Sequence, residues 1–295
     1  MTLLAVDWGT SSLRGALLDA DGRTIEEKRM PRGILSVPAG GFGAVFDDCF
    51  GDWMARADGG VLISGMAGSR QGWIEAPYCP CPAGPEEIAA QVIPVDHDRI
   101  RMVPGLCCFN DGGHDGVPDV MRGEEVQILG AMALTGLRDG LFVLPGTHNK
   151  WATVAHGRIT GFRTFMTGEF YALLSQQSIL ARTLDAAAPL DEAAFMDGVA
   201  RAGNGRGLLH NAFGARTLAL FDRMPAHQLA SYLSCLLIGE ELRTAAPDAR
   251  GGLVLIGAPA LTERYALALR VGGGATYTLG DEATWAGLHA LAAFQ

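Results

Sequence analysis

The sequence predicts an α/β protein with two domains of similar design. A short apolar strand, a polar turn and a second strand occur near residue 7, and the same order recurs near residue 147. The chain has 295 residues, which fits two domains of ordinary size. We expect an N-terminal domain over 1–118 and a C-terminal domain over 119–295, with the last helix a candidate to return to the first domain. The repetition is one of element order, not of residues.

Hydrophobic periodicity and turn residues give the expected elements. The first half is predicted to contain strands and helices over Leu3–Asp7, Leu13–Asp19, Thr24–Met30, Phe42–Ala57 (helix), Gly60–Ser64, Ile100–Leu106 and Gly123–Leu137 (helix). The second half is predicted to contain Gly140–Leu144, Trp151–Ala155, Arg158–Phe162, the amphipathic helices Phe170–Ala181 and Leu229–Arg243, the strand Leu253–Ile256 and the helix Thr284–Ala293.

Composition excludes several classes of protein. Hydrophobic residues make up 48% of the chain and charged residues 19%, which supports a buried core and argues against disorder. The formal net charge of −9 disfavours nucleic acid as a partner, because phosphate backbones select basic surfaces. No apolar run is long enough to span a membrane, and the first residues lack the basic region of a signal peptide. We therefore expect a cytoplasmic protein without a membrane partner, a homodimer being one alternative for its assembly.

The six cysteines have no metal-site spacing. They occur as C-x-C and C-C pairs and two single residues, without the paired C-x-x-C pattern of structural zinc. Free buried thiols are the better interpretation. His114, between two aspartates, is a weaker metal candidate still.

The first chemical motif lies at the first predicted bend, DWGTSS (7–12). Gly9, Thr10 and Ser11 offer backbone N–H and hydroxyl donors to phosphate oxygens. Asp7 can hold Mg²⁺ through water, because magnesium keeps several waters and needs few carboxylates. An ordinary hairpin turn is the competing interpretation, which the position directly after an apolar strand makes weaker.

The second motif repeats this logic in LPGTHNKW (144–151). Gly146 and Thr147 form the turn, and His148 and Lys150 add donors toward a transferred phosphoryl group. A solvated loop lysine is the alternative for Lys150. A third turn, at Gly257, can lay backbone against an adenosine group, although many α/β domains contain such a turn.

The order of these three turns resembles that of the acetate-and-sugar-kinase/Hsp70/actin superfamily, and no P-loop motif indicates the competing nucleotide fold. Four blocks, at 64–78, 117–131, 144–151 and 162–174, are similar to those of 2-dehydro-3-deoxygalactonokinases. The resemblance implies two actin/hexokinase-like (ribonuclease H-like) domains with a nucleotide cleft between them. It also implies ATP and Mg²⁺ as cofactors and phosphorylation of the 6-hydroxyl of 2-dehydro-3-deoxy-D-galactonate in galactonate breakdown.

Such a kinase needs a carboxylate that accepts the proton of the attacking hydroxyl. Asp119 is the residue type that the superfamily prefers, whereas Glu124 lies nearer a helix start, where the helix dipole favours its ionised form. We rank the two evenly as catalytic candidates, with Glu125 behind. Helix capping is the alternative role for both glutamates.

A sugar acid also needs a group that binds its carboxylate. Arg70 is the first candidate because guanidinium grips carboxylate with two hydrogen bonds, and Arg122 and Arg163 are its rivals. A surface salt bridge is an equally good interpretation for any one of the three.

Neighbouring residues complete the predicted substrate site. Ser69 and Gln71 could bind hydroxyls, and Trp73 could supply an apolar wall. Glu169 could bind a sugar hydroxyl or cap the helix after it.

Three alternatives stand beside this interpretation. A kinase of another sugar or sugar acid would keep the phosphate loops but remove the argument for Arg70. A non-catalytic sugar-responsive regulator commonly carries an added DNA-binding helix-turn-helix, for which the start of this chain leaves no room. A chaperone-like ATPase is disfavoured because no peptide-binding domain follows.

Overall fold

The structure is a computed structural model that describes residues 1–95, 99–109, 116–245, 252–270 and 276–295. It divides into two compact units. Unit 1 comprises Met1–Phe142, Ala152–Arg163 and Leu279–Gln295, and unit 2 comprises Val143–Trp151 and Thr164–Thr278. Among the helices of the described ranges, none combines the length and apolar character needed to cross a membrane.

The elements alternate in the manner of an α/β protein. The strands are β1 (Leu3–Trp8), β2 (Leu13–Leu18), β3 (Thr24–Met30), β4 (Val61–Gly65), β5 (Tyr78–Pro80), β6 (Ile93–Pro94), β7 (Ile100–Met102), β8 (Gly105–Phe109), β9 (Pro118–Met121), β10 (Gly140–Leu144), β11 (Asn149–Ala155), β12 (Arg158–Phe165), β13 (Leu253–Ile256) and β14 (Thr276–Leu279). The helices are α1 (Phe42–Met54), α2 (Pro85–Ala89), α3 (Glu124–Thr135), α4 (Thr167–Gln177), α5 (Glu192–Ala202), α6 (Leu208–Leu220), α7 (Ala226–Ala245), α8 (Pro259–Leu269) and α9 (Glu282–Ala292).

Two larger sheets share one strand order. The first runs β3-β2-β1-β4-β7-β6, and the second runs β12-β11-β10-β13-β14. In both sheets, three consecutive strands lie in reverse chain order (β3-β2-β1 and β12-β11-β10). The earliest of the three then pairs with a strand from later in the chain, β4 or β13. The predicted recurrence of architecture is therefore present in the topology. A third sheet, β5-β8-β9, completes the described strands.

The first sheet carries the core of unit 1. Strand β1 pairs antiparallel with β2 and parallel with β4, with Asp7 opposite Arg14 and Ser64. The apolar faces of these strands and of α1 enclose a fully buried cluster that includes Trp8 and Phe46. Because the core fixes β1 and β4 on both sides, the residues at their carboxyl ends have a rigid base.

Helices α3 and α9 of unit 1 cross at two glycines. A Cβ atom at Gly130 would lie 1.8 Å from the Ala283 carbonyl oxygen, and one at Gly287 would lie 1.9 Å from that of Val126. Only glycine permits so close an approach of two helix backbones. The last helix therefore belongs to unit 1.

The predicted strand over Ile100–Leu106 is wrong as a single element. Strand β7 ends at Met102, Pro104 follows it, and Gly105 starts β8, which belongs to a different sheet. Proline lacks the N–H that a continuing ladder needs, and a Cβ atom at Gly105 would lie 2.5 Å from the Met121 carbonyl oxygen. The chain therefore changes sheets at this dipeptide.

Helix α7 is not amphipathic as predicted. Its burial extends around the helix, and it is packed by α4, α5, α6 and α8. Glycine makes the closest of these packings possible, since a Cβ atom at Gly198 of α5 would lie 2.4 Å from the Tyr232 carbonyl oxygen. Helices α5 and α6 had no counterpart in the sequence prediction.

Candidate functional site

Asp7 lies near the carboxyl end of β1, where its carboxylate is partly buried. Arg14 donates to Asp7 Oδ2 through Nε at 3.1 Å and also through Nη2. The other oxygen, Oδ1, lies 3.0 Å from the place that a Cβ atom would take at Gly65. Because Gly65 has no side chain, a cradle remains open beside Oδ1.

The turn after Asp7 is held by a segment further along the chain. The Gly9 N–H donates to the Ser12 carbonyl at 2.9 Å, while Thr10 and Ser11 remain exposed. The Ile34 N–H donates to the Gly9 carbonyl at 3.0 Å. A Cβ atom at Gly33 would lie 2.2 Å from the Thr10 carbonyl oxygen, so only glycine fits there.

The second turn, in unit 2, is built from its own side chains and from the start of α4. The Gly146 N–H donates to Asn149 Oδ1 at 2.6 Å, and the Thr147 carbonyl accepts the Glu169 N–H at 3.0 Å. A Cβ atom at Gly168 would lie 2.1 Å from the Gly146 carbonyl oxygen. The helix start therefore fixes the backbone of this loop.

A buried carboxylate holds the second turn through hydrogen bonds. Glu241 of α7, 2% exposed, accepts Asn149 Nδ2 at 2.8 Å, Trp151 Nε1 at 2.5 Å and the Thr167 hydroxyl. The Tyr265 hydroxyl donates to it at 2.6 Å. Burial, and then the Glu241 charge, raise the pKa of Tyr265 well above its ordinary value, which keeps that phenol a neutral donor.

The two basic residues of the second motif have different surroundings. His148 Nε2 lies 2.5 Å from Glu169 Oε2, so a predicted phosphate donor and a predicted sugar binder are paired with each other. Lys150 is buried, and its ammonium donates to the Thr164 hydroxyl at 2.8 Å. Lys150 is therefore no solvated loop lysine.

Gly257, the third predicted turn, follows β13. Its φ of +151° favours glycine, and a Cβ atom there would lie 3.3 Å from the Pro145 carbonyl oxygen. The third turn thus lies directly beside the second within unit 2.

The start of α3 lies close to Asp7. A Cβ atom at Gly123, whose φ is +105°, would lie 3.3 Å from the Gly65 Cα atom, and Gly65 in turn adjoins Asp7. Glu124 is the first residue of the helix, and its Oε2 accepts the Arg122 N–H at 2.9 Å.

Glu125 is fully buried beside Glu124. Both of its oxygens accept the Gly123 N–H, at 2.8 and 2.9 Å. Burial, and next the neighbouring Glu124 charge, raise the pKa of Glu125 to about 8. Near neutral pH its carboxyl group therefore holds a proton, unlike an ordinary helix-capping glutamate.

Asp119 lies in β9, opposite Cys108 of β8. Its Oδ1 accepts the Val120 N–H at 2.9 Å. Four residues separate it in sequence from Glu124.

The candidate arginines differ sharply in burial. The Arg70 side chain is 85% exposed and its Nε lies 3.3 Å from Glu75 Oε1. Arg122 is only 8% exposed, lies 4.4 Å from the centre of the Tyr78 ring, and donates from Nη2 to the Ala76 carbonyl at 2.9 Å. Among the described residues, its Nε and Nη1 find no hydrogen-bond partner. Arg163 is exposed on β12.

The remaining predicted binders lie on the segment after β4. The Ser69 hydroxyl is buried and has no hydrogen-bond partner in the part of the chain that the structure describes, and Gln71 is exposed. Trp73 packs on Phe42 and Phe46 at ring-centre distances of 6.5 and 5.6 Å. Its ring thus continues the aromatic core of unit 1.

Sequence reasoning missed Glu241, Gly33 and Gly65. A carboxylate in a hydrophobic helix and an N-K-W run were the available signals for the buried network. Gly33 and Gly65 carry no local signal, since their need for glycine arises from contacts with residues distant in sequence.

The cysteines and histidines do not assemble into a metal site within the described ranges. All six cysteines have free thiols, and burial raises the pKa of Cys81 to about 12. His114 lies outside the described residues.

Comparison with known proteins identifies the family. The family model described as 2-keto-3-deoxy-galactonokinase matches residues 7–291. A probable 2-dehydro-3-deoxygalactonokinase of Rhizobium meliloti (strain 1021) is 40% identical, over 98% of this chain and 95% of the relative. The 2-dehydro-3-deoxygalactonokinase of Escherichia coli (strain K12) is 34% identical, over 98% and 97%.

Solved structures agree with this family and with the fold. The crystal structure of a candidate 2-dehydro-3-deoxygalactonokinase from Sinorhizobium meliloti has a TM-score of 0.90 and 37% identity, covering 98% of both chains. An activator of 2-hydroxyisocaproyl-CoA dehydratase from Clostridium difficile, solved with bound ADPNP, has a TM-score of 0.52 at 12% identity, covering 99% of this chain and 93% of that one. The predicted actin/hexokinase-like class is thereby confirmed, and the chain belongs to the 2-keto-3-deoxy-galactonokinase family.

Proposed function

We propose that this protein transfers the γ-phosphoryl group of ATP to the 6-hydroxyl of 2-dehydro-3-deoxygalactonate (2-keto-3-deoxygalactonate), in cytoplasmic galactonate breakdown. The family match over 7–291 supports the activity. The structural observation that carries it is the repeated turn after β1 and after β10, each held by a close glycine contact, at Gly33 and at Gly168. Thr10 and Ser11 are exposed in the first turn, and Thr147 and His148 in the second. Backbone donors in a tight turn are a recurrent way of binding phosphate.

Magnesium fits the cradle at Asp7. Oδ1 is a hard oxygen donor beside the gap at Gly65, while Arg14 occupies Oδ2. We propose that Asp7 holds Mg²⁺ there, directly or through water. The ion would neutralise charge that develops on the phosphoryl oxygens.

We assign different residues of the three turns to the binding of ATP. We propose that Gly9, Thr10 and Ser11 bind phosphate oxygens in unit 1. In unit 2 we propose the same role for Gly146, Thr147 and His148. Lys150 would contribute its positive charge to this loop, and Gly257 would approach the adenosine.

Glu124 is the better candidate for the base. It begins α3, whose first turn adjoins the Gly65 cradle, and the helix dipole favours its ionised form. Asp119 remains the alternative. Substitution of each by its amide separates them, because the loss of a general base lowers kcat by about 10²- to 10⁴-fold.

Arg122 is the better candidate for binding the substrate carboxylate. Buried polar groups without partners are rare, and Arg122 leaves two guanidinium nitrogens without one. The Ser69 hydroxyl is also buried and unpartnered. We propose that substrate binding satisfies both groups, with Gln71, Trp73 and Glu169 near the sugar hydroxyls, and that Arg70 serves only its ion pair with Glu75.

Coupled ATP turnover tests the function. The panel is 2-dehydro-3-deoxygalactonate, 2-dehydro-3-deoxygluconate, galactonate and a neutral hexose. Turnover confined to the 2-dehydro-3-deoxy acids supports the proposal. Turnover with the hexose alone would leave the fold and the phosphate loops intact but contradict the substrate and the role of Arg122. Sedimentation tests separately whether the protein forms a homodimer, the alternative for its assembly.

A further inference from the structure

A cavity of about 450 Å³ in unit 2 is formed by α5, α6 and α7 and by the segments that flank α6. Its volume is within the range of small-molecule sites. None of its lining residues belongs to the phosphate loops or to any residue assigned above. The cavity is therefore a separate feature that phosphoryl transfer leaves unexplained.

The lining is strongly cationic. Arg201, Arg206, His210 and Arg223 face the cavity, and no acidic residue is among its described lining residues. Within the described part of the chain, the ion pairs do not include Arg201, Arg206 or Arg223. The chain as a whole carries 32 acidic against 23 basic residues. The described lining of this cavity, with three arginines and no acidic residue, is therefore positively charged although the chain as a whole is negatively charged.

Hydrogen bonds fix one end of the cavity. Asn204 and the buried Asn211 bond to each other through their amides at 3.0 and 3.1 Å. Asn204 also accepts the Arg206 N–H at 2.9 Å, and Asn211 donates to the Arg201 carbonyl at 3.3 Å. The backbones that carry both arginines are therefore held in place, which reduces the entropy lost when a ligand binds.

The opposite end carries Arg223. Leu220 follows His210 by ten residue steps along α6, which corresponds to about 15 Å along the helix axis. Arg223 follows the helix, and its N–H donates to the Leu218 carbonyl at 2.8 Å. Arg206 before α6 and Arg223 after it thus place cationic residues of the lining near both ends of this helix.

The middle of the cavity is less polar. Phe213 and Leu218 line it, and Gly214 leaves space in front of the Tyr232 hydroxyl, which would lie 3.5 Å from a Cβ atom at 214. A ligand that matches this lining has anionic groups at its two ends and a weakly polar centre.

We propose that this cavity binds a small organic polyanion with a carboxylate or phosphate at each end. Guanidinium groups bind both anions through paired, charge-assisted hydrogen bonds. A phosphorylated sugar acid has this layout, so the product of the reaction is one source of the ligand, an assignment that rests on the proposed function. A dicarboxylic acid is the other source.

The test is calorimetric titration of the full chain with 6-phosphogluconate, adipate, gluconate and inorganic phosphate. The variants are the double substitution Arg201→Ala/Arg223→Ala and the control Arg216→Ala, which lies in α6 but outside the cavity lining. The site is supported if 6-phosphogluconate or adipate binds more tightly than gluconate and phosphate and loses at least tenfold in affinity in the double variant alone. Which of the two binds identifies the source.

Basal kcat and KM should be unchanged in the double variant, so failure of the kinase proposal and failure of this one give different results. Equal affinity in all three proteins would place the anion elsewhere and overturn the proposal. Absence of binding by the wild type would also overturn it. So would a double variant that has a changed sedimentation coefficient but keeps its affinity for the ligand. The latter result would indicate an interface between copies.

Discussion

The Asn149 side-chain amide donates to the buried carboxylate of Glu241 over 2.8 Å, while its carbonyl oxygen accepts the Gly146 N–H at 2.6 Å. One side chain thus connects the second phosphate turn to α7. Any change at Glu241 should therefore reach the turn through Asn149, although the two positions are 92 residues apart.

We expect Glu241→Gln to lower both stability and affinity for ATP. Glutamine keeps one acceptor oxygen but places an NH₂ group where the second carboxylate oxygen accepted hydrogen bonds. At least one hydrogen bond to a charged acceptor is therefore lost. The expected decrease in the free energy of unfolding is roughly 3 kcal/mol, measured by urea denaturation together with the KM for ATP. Glu240→Gln is the matched control, because Glu240 is a partly exposed partner of Arg243. Equal effects of both variants would contradict the anchoring role.

Asp7→Asn should reduce turnover at least about a hundredfold, because a bound metal contributes several kcal/mol to transition-state stabilisation. The measurement is kcat over a titration of Mg²⁺. Asp281→Asn is the control, since Asp281 also pairs with Arg14 but lies outside the turn. Similar losses in the two variants would mean that Asp7 acts only by holding Arg14.

Gly33→Ala should displace the first turn, because the added Cβ atom would lie 2.2 Å from the Thr10 carbonyl oxygen. We expect a severalfold higher KM for ATP and a lower Tm. Gly51→Ala in α1 is the control, since nothing lies within 4 Å of its Cβ position and alanine favours helix by up to about 1 kcal/mol. An unchanged KM in Gly33→Ala would show that the turn does not touch the nucleotide.

Arg122→Lys should raise the KM for the sugar acid at least tenfold while leaving the KM for ATP near its original value. Lysine keeps the charge but loses the planar fork that binds a carboxylate with two hydrogen bonds. The comparison variant is Arg70→Ala, whose exposed ion pair is worth less than about 1 kcal/mol. A larger effect from Arg70→Ala would reverse the assignment, and circular dichroism establishes that both variants are folded.

Stability should fall with rising pH because of Glu125. Its pKa is about 8 in the folded chain against an ordinary value of 4.5, so folding favours the protonated form. The stabilising effect is complete below pH 4.5, declines between pH 4.5 and 8, and is lost above pH 8. Urea denaturation of the wild type and of Glu125→Gln should therefore give curves that diverge over this interval. Parallel curves would contradict the shifted pKa.

Much of the fold was predictable because its signals are local. Strands Gly140–Leu144 and Leu253–Ile256 have the predicted bounds, since short apolar runs between turn residues specify strands. Strand Thr24–Met30 also has its predicted bounds, which lie between the turn at Gly22 and Pro31. Helices α5 and α6 were missed because their positions depend on packing against α7, which the local sequence does not show. The amphipathic interpretation of α7 failed for the same reason.

The candidate site was predictable only in part. The turns at Gly9 and Gly146 carry their own sequence signals, but burial does not. Sequence alone could not distinguish the exposed Arg70 from the buried Arg122, because that difference depends on Tyr78 and Ala76 in a separate strand and loop. The role of each site residue stays a prediction.

The glycine crossing of α3 and α9 bears on the synthesis of the chain. Helix α9 is translated after the whole of unit 2, yet it packs against a helix of unit 1. While the ribosome makes unit 2, the face of α3 around Gly130 is not yet covered by α9. Unit 1 therefore cannot complete its packing in the order in which it is translated, and this face of α3 is where a nascent chain would most need protection by a chaperone.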